Sequence, residues 1–343
     1  MSIVVIVVVV FGLAMTFGFY FLKAMNAGNE SVNQNSCRAN LRTLQMAMFQ
    51  YADIQGRLPG YVDVLRKDQA VVLDPKTQQP LAVSWVVHLM PHLEHASTFE
   101  RWQQGNVEEP FIPVLVCPSD SKRSGPALSY VGNSGMPDVP GAAPVPGGPA
   151  RGQTGTIGIP RDWQANGVFF NTYSDDPAVS TDKSKRIPRI IMRSSDIRDP
   201  KDRTIVFTEN VDTSTYTLPQ ADARSIGSGA GPMPEVRFGC VWGSESIQDG
   251  QPPVMTPPQG VWRPQQGIVG KSASYARPYS KHQGGFNAAF AAGNVLFLSD
   301  KLSYFVYAKL MASDDVGAKQ AGTNTLVDPL FRSYQIIDAE IHP

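Results

Sequence analysis

Residues 3–22 contain no charged side chain, and only Thr16 and Tyr20 bring polar groups into the run. At about 1.5 Å of rise per residue, a helix of that length spans a hydrocarbon core of roughly 30 Å. A helix also satisfies its own backbone hydrogen bonds, which lipid cannot do. A cleaved secretion signal would instead need a basic start, an apolar stretch of about 7 to 15 residues and a small-residue cleavage site. No Lys or Arg precedes the run, and Met25 stands at the −3 place of the nearest small-residue site, Ala27. Residues 1–23 are therefore expected to be a retained transmembrane helix. Lys23, Arg38 and Arg42 follow it, so the excess of positive charge on cytoplasmic loops, taken alone, would leave the rest of the chain in the cytoplasm.

After a polar stretch at 26–36, apolar side chains recur at Leu41, Leu44, Met48 and Tyr51, and Gly56 and Pro59 close the segment. Spacings of three and four make one apolar helix face, so residues 24–56 are expected to continue the helix as an amphipathic stalk. Residues 57–343 then form the head. With 42% apolar and 17% charged residues in 343, it has ample material for a core. The 30 Gly and 28 Pro are clustered, which points to a turn-rich α+β head of antiparallel strands rather than a bundle. Of the 26 residues at 135–160, 13 are Gly or Pro. That region and two others, 219–234 and 251–267, are expected to be long loop insertions. Short apolar runs lie at 71–73 and 85–89. The pattern predicts a helix over 91–102 with Pro near its first turn, and strands at 114–117, 204–208 and 236–242. Phe286 to Phe290 and Val295 to Leu298 read as a hairpin, with Gly293 supplying the positive φ of its turn.

Lys+Arg and Asp+Glu balance at 30 each, so no long-range field recruits nucleic acid, and no nucleic-acid partner is expected. Three cysteines are too few for a disulfide framework or a zinc ribbon. His88, His92 and His95 have the i, i+4, i+7 spacing that could hold a metal on one helix face, but Pro91 interrupts the span. His282 has no nucleophile or carboxylate partner legible nearby and reads as a structural hydrogen-bonding group. There is no phosphate loop, nucleophile elbow, Cys-x-x-Cys or dinucleotide fingerprint. No catalytic, cofactor-binding or metal-ligating residue is assigned, and the chain is not expected to be an enzyme.

Four blocks, in order, resemble one family. They are Cys37-Arg-Ala-Asn40-Leu41 running to Pro59-Gly60; Ser84-Trp85 to Pro91-His92-Leu93-Glu94; Cys117-Pro118-Ser119-Asp120 with Ser129-Tyr130-Val131-Gly132-Asn133; and His282-Gln-Gly284-Gly285 through Ala292-Gly293. Thr204 to Glu209 adds a Thr-Ile-hydrophobic-Glu strand. Together they are similar to the large bacterial type IV pilin/pseudopilin-like group, akin to type II secretion protein G, whose C-terminal signature is His, nine residues, then Asp-Gly. Ala292 stands here for the Asp. The Glu that pilins carry five residues into the apolar run is missing, and so is the basic leader before it.

The resemblance implies a pilin-like fold with a long N-terminal helix packed on an antiparallel head, held in the inner membrane with the head outside the cytoplasm. It implies a structural subunit of a pilus-like, pseudopilus-like or secretion-related surface assembly, with the bilayer and other pilin-like subunits or further copies of itself as partners. Cys37 and Cys117 match family cysteines, and a disulfide between them and two buried thiols both remain open. Some secretion pseudopilins bind calcium near the C-terminus; Asp300, Asp314, Asp315 and Asp338 are the carboxylates here, but their spacing fits no calcium loop, and no cofactor is expected. The alternative is a membrane-tethered head that binds a ligand or carbohydrate without polymerising, with Trp163, Trp242 and Trp262 as its loose aromatic candidates.

Overall fold

The computed structural model describes residues 28–120, 124–138, 162–174, 176–179, 189–211, 213, 215–218, 235–242, 276–320, 325–327 and 329–341, with the backbone alone at 2–27, 235–236 and 330. The fold is α+β. The first helix, α1 (Ser2–Gln55), ends at Gly56, whose φ of 66° takes the chain out of the helix. Among the described residues no helix is long and apolar enough to cross a membrane. The side chains of the apolar run 3–22, and with them the expected span, lie outside those residues, as do the expected insertions at 219–234 and 251–267 and positions 139–160 of the first.

The head is built on a five-stranded sheet. In chain order its strands are β5 (Tyr130–Asn133), β6 (Ile205–Glu209), β7 (Gly239–Cys240), β8 (Gly285–Phe290) and β9 (Val295–Ser299), laid side by side as β7-β5-β6-β8-β9. All neighbours are antiparallel except β5 and β7. The sheet is thus mixed rather than purely antiparallel, because β7 enters from a helical turn at Glu235–Phe238 instead of from a hairpin. Ahead of it, β1 (Val62–Val64) pairs with β4 (Ala82–Ser84), and β2 (Arg66–Lys67) with β3 (Ala70–Val71).

Alternation along the strands sorts side chains to two sides. Phe286, Ala288 and Phe290 of β8 join Val131, Leu298 and the helix α4 (Tyr304–Met311) in one core. The other core holds Ala289 of β8 with Phe207 and α1, from Cys37 and Leu41 through Leu44, Met48 and Tyr51. A register shift in β6 between Ile205 and Phe207 lets Val206 and Phe207, though consecutive, both serve the α1 side. The two helices therefore sandwich the sheet. At the hairpin end Gly293 has φ 102°, the left-handed value the turn between β8 and β9 requires.

The apolar run at 85–89 is a helix, α2 (Trp85–Leu89), directly after β4. Three expectations fail for local reasons. The helix expected over 91–102 is two pieces, a 3-10 turn at Met90–Leu93 and α3 (Ala96–Gln103), separated at Glu94, whose φ is 64°. Residues 114–117 are not a strand: Pro113 opens a 3-10 turn, Pro113–Leu115. The segment 236–242 is strand only at Gly239–Cys240.

Seating one face of α1 in the core while leaving the other outside gives a paired test. Leu44 is fully buried and Ile54 is 71% exposed. Leu44→Ala should cost about 2–5 kcal/mol of unfolding free energy, whereas Ile54→Ala should change it by no more than about 0.5 kcal/mol. Equal losses in denaturant titrations of the two variants would contradict this packing.

Candidate functional site

The face of the sheet that meets α1 carries two polar residues. Glu209 lies two residues beyond Phe207 on β6, and Asn287 two before Ala289 on β8, so alternation turns both toward α1. Glu209 is fully buried. Its Oε2 accepts from the Asn287 backbone N–H and its Oε1 from Asn287 Nδ2, each at 2.9 Å. Arg38 Nε on α1 donates to Asn287 Oδ1 at 3.1 Å and fixes the amide's orientation.

Cys37, one residue before Arg38, faces the same space. Cys117 arrives from the turn after the Pro113–Leu115 helix, closed by Asp120 N–H donating to the Cys117 carbonyl at 2.8 Å. His282 arrives from the chain leading into β8, its backbone N–H held by Ser280 Oγ at 3.0 Å. Gly285 opens that strand three residues later. A Cβ there would run into the Leu298 carbonyl oxygen, so only glycine lets β8 start this close to β9.

The ligand-type atoms of Cys37, Cys117, Glu209 and His282 all lie within 4.8 Å of one another, and all four residues are buried. His282 Nε2 is 3.6 Å from Cys117 Sγ and 3.2 Å from Glu209 Oε1. Its other nitrogen, Nδ1, meets the carboxylate of Glu30, about two helical turns before Cys37 on α1. Ser119 Oγ donates to the second oxygen of Glu30 at 3.1 Å. Burial alone would lower the pKa of His282; hydrogen bonds to Cys117, Glu209 and Glu30 and the charge of Glu209 outweigh it and raise it to about 11. The Cys117 thiol moves the other way, to about 6, chiefly because Cys37 donates to it and then because His282 does, against the effect of burial. That same bond pushes the Cys37 thiol up. To a cation the cluster offers two sulfurs, a nitrogen and a carboxylate. Both cysteines are free thiols in this structure.

The remaining residues singled out by sequence serve the frame around this cluster. Asn40 Nδ2 donates to the Val116 carbonyl at 3.1 Å and to Tyr130 Oη at 3.2 Å, holding the Cys117 turn against α1, and Leu41 is buried beside it. Pro59 and Gly60 are buried in the link to β1, and Trp85 is buried with Nε1 donating to the Phe238 carbonyl at 3.0 Å. Pro91 lies in the 3-10 turn, and Glu94 caps it, exposed, away from the cluster. Pro118 is exposed; Ser119 and Asp120 are half-buried, and Asp120 Oδ2 accepts from Ser129 Oγ at 3.1 Å. Gly284 and Gly293 are exposed turn residues at the two ends of β8. Trp242 stacks on Phe331 in the core and Trp163 lies under Lys319, so these two form no concave aromatic site; Trp262 is outside the described residues. Asp314, Asp315 and Asp338 pair separately with Arg198, Lys309 and Arg203. Sequence reasoning named Glu209 only as the end of a family-like strand, and placed neither it nor Glu30 nor Asn287 in a site. The signal for Glu209 was an acid two residues past a buried Phe on a strand; Glu30 had none.

A second polar constellation lies at the far end of α1. Buried Asp63 binds Arg57 at 2.6 Å and Arg189 at 2.9 Å, and buried Asp176 binds Arg66 at 2.7 Å and Arg189 at 3.1 Å. His88 Nε2 is 3.7 Å from Asp63 and makes no hydrogen bond. Burial lowers the His88 pKa to about 4, against the pull of Asp63 and aided by the surrounding arginines. For a base whose folded pKa is depressed, stability is full above the unfolded pKa of about 6.5 and is lost as pH falls toward about 4, a total of about 3 kcal/mol. His88→Gln should flatten the decline in unfolding free energy between about pH 6.5 and 4.5; an identical decline in both proteins would show that His88 is not held neutral.

Comparison with curated proteins and with solved structures finds no match to this chain. The sequence profile described as "Protein of unknown function (DUF1559)" matches residues 33–303. That span contains Cys37, Cys117, Glu209 and His282, though not Glu30. The chain belongs to the DUF1559 family.

Proposed function

We propose that this chain is a structural subunit of a pilus-like, pseudopilus-like or secretion-related surface assembly. In this reading residues 3–22 anchor it in the inner membrane and the head stands outside the cytoplasm. The observation that carries the proposal is the outer face of α1. Val32, Met46 and Ile54 are 64%, 59% and 71% exposed. At about 100° per residue they fall within an arc of roughly 80°, three exposed apolar side chains set among Ser36, Thr43 and Gln50 on the side of the helix away from the face that the head has captured. A helix built into its own head on one side and carrying exposed apolar side chains on the other is suited to pack against α1 of neighbouring subunits. The resemblance to pilin-like proteins supports the same reading.

A second reading, a tethered head that binds a ligand without polymerising, is favoured by a cleft of about 660 Å³ beside the second constellation. Tyr51, Arg57, Arg66, Asp68, His88 and Arg189 are in its lining, a polar set whose arginines are already paired with Asp63 and Asp176.

Electron microscopy of cell-surface material and detergent extracts from cells expressing the head-tagged chain separates the two. Filaments carrying the tag are expected, and Met46→Glu with Ile54→Glu should abolish them while the chain stays in the membrane fraction. Isolated heads in the unsubstituted protein would overturn the assembly reading.

A further inference from the structure

We propose that Cys37, Cys117, Glu209 and His282 form a closed zinc site that fastens α1 to the head. Such a site forms whether or not the chain polymerises. A tetrahedral Zn²⁺ with bonds of about 2.3 Å to sulfur and about 2.0–2.1 Å to nitrogen and oxygen separates its ligands by about 3.6 Å (S to N) and about 3.3 Å (N to O). The observed separations around His282 Nε2 are 3.6 Å to Cys117 Sγ and 3.2 Å to Glu209 Oε1. One N–H on Nε2 cannot point along both directions at once, whereas a cation between them meets both, and Cys37 closes the fourth corner within the same 4.8 Å.

The surroundings are those of a ligand set already oriented. A metal-bound imidazole donates its other N–H to a carboxylate, which fixes the tautomer and leaves the ligating lone pair free; Glu30 stands at Nδ1 in that role. A ligating carboxylate is held by hydrogen bonds of its own, as Asn287 holds Glu209 through both its backbone and side-chain nitrogens. Two thiolates and an imidazole select zinc over the hard cations calcium and magnesium, and four protein ligands leave no open position for substrate. The site is thus structural. On binding, the cluster gives up its remaining sulfur and imidazolium protons to solvent, so that both sulfurs ligate as thiolates and His282 as neutral imidazole.

The test uses the full-length chain in detergent, stripped with chelator and kept reduced, then titrated with Co²⁺. One equivalent should produce a thiolate-to-cobalt charge-transfer band with the intense visible bands of a tetrahedral ion, and Zn²⁺ should displace it. Cys117→Ser should lose the charge-transfer intensity, and Cys240→Ser, at a buried cysteine outside the cluster, should retain it. Glu30→Ala, at the positioning residue, should weaken metal affinity about 10–100-fold while leaving the band shape. The proposal is overturned if the unsubstituted reduced protein shows no such band. It is overturned equally if peptide mapping of protein taken from cells finds Cys37 and Cys117 joined as a disulfide.

Discussion

The constraint on which the structure depends is the burial of Glu209. A carboxylate with no exposure at the end of a central strand costs several kcal/mol unless it is paired and hydrogen-bonded. Everything that satisfies it comes from elsewhere in the chain: Asn287 from the neighbouring strand, His282 from the loop before that strand, and Arg38 on α1 through Asn287. His282 in turn draws in Glu30 and Cys117. One buried acid therefore requires α1, β6, β8 and the Cys117 turn to be present together, and a chain that folds without any of them leaves a charge stranded. Such a fully satisfied network favours one docking of the helix over the many that an apolar face alone would allow.

That specificity complements the packing around it. Leu41, Leu44, Met48 and Tyr51 would tolerate α1 sliding or rotating by small amounts, since apolar contact has little direction. The polar contacts do not. Gln45, buried in the midst of the apolar face, adds a second fixed point by donating to the Phe290 carbonyl at the far end of β8. The helix is pinned at both ends of one strand, with the apolar residues filling the interval.

Where a single periodicity governs a segment, the fold was legible in the sequence. The three- and four-residue spacing of the stalk face and the alternation and Gly293 turn of the hairpin needed no tertiary information. Legibility ended where period was absent or backbone chemistry overrode it. Trp85–Leu89 is an almost wholly apolar run of five, broken only by His88, equally a strand or a helix by pattern. Pro113 turned an apolar run into a 3-10 helix, and Glu94 adopted a left-handed conformation that no composition rule announces for a Glu. The candidate site was half legible. Cys37, Cys117 and His282 stood out within motifs, but their convergence did not, because Glu30 and His282 are 252 positions apart and only the sheet order brings them together. Reading His282 as lacking a carboxylate partner was the consequence, and the structure places two beside it, Glu30 and Glu209.

The two faces of α1 carry opposite physics, and this is where fold meets function. Inward, the helix spends its apolar and polar residues together on a contact that has one geometry. Outward, Val32, Met46 and Ile54 stand apart, each a turn or more from the next, with polar residues between them. Such a face would bind weakly per subunit, which suits the proposed assembly, where many modest contacts would add along a filament. The inward contact must then be the stronger of the two. In the proposed assembly, force carried by the stalk would reach the head through α1, and a helix that slipped in its own head before it parted from its neighbours would make a poor structural element. The buried cluster stands at that junction, between the last residues of the polar stretch and the first buried turn of the helix, where the load would enter.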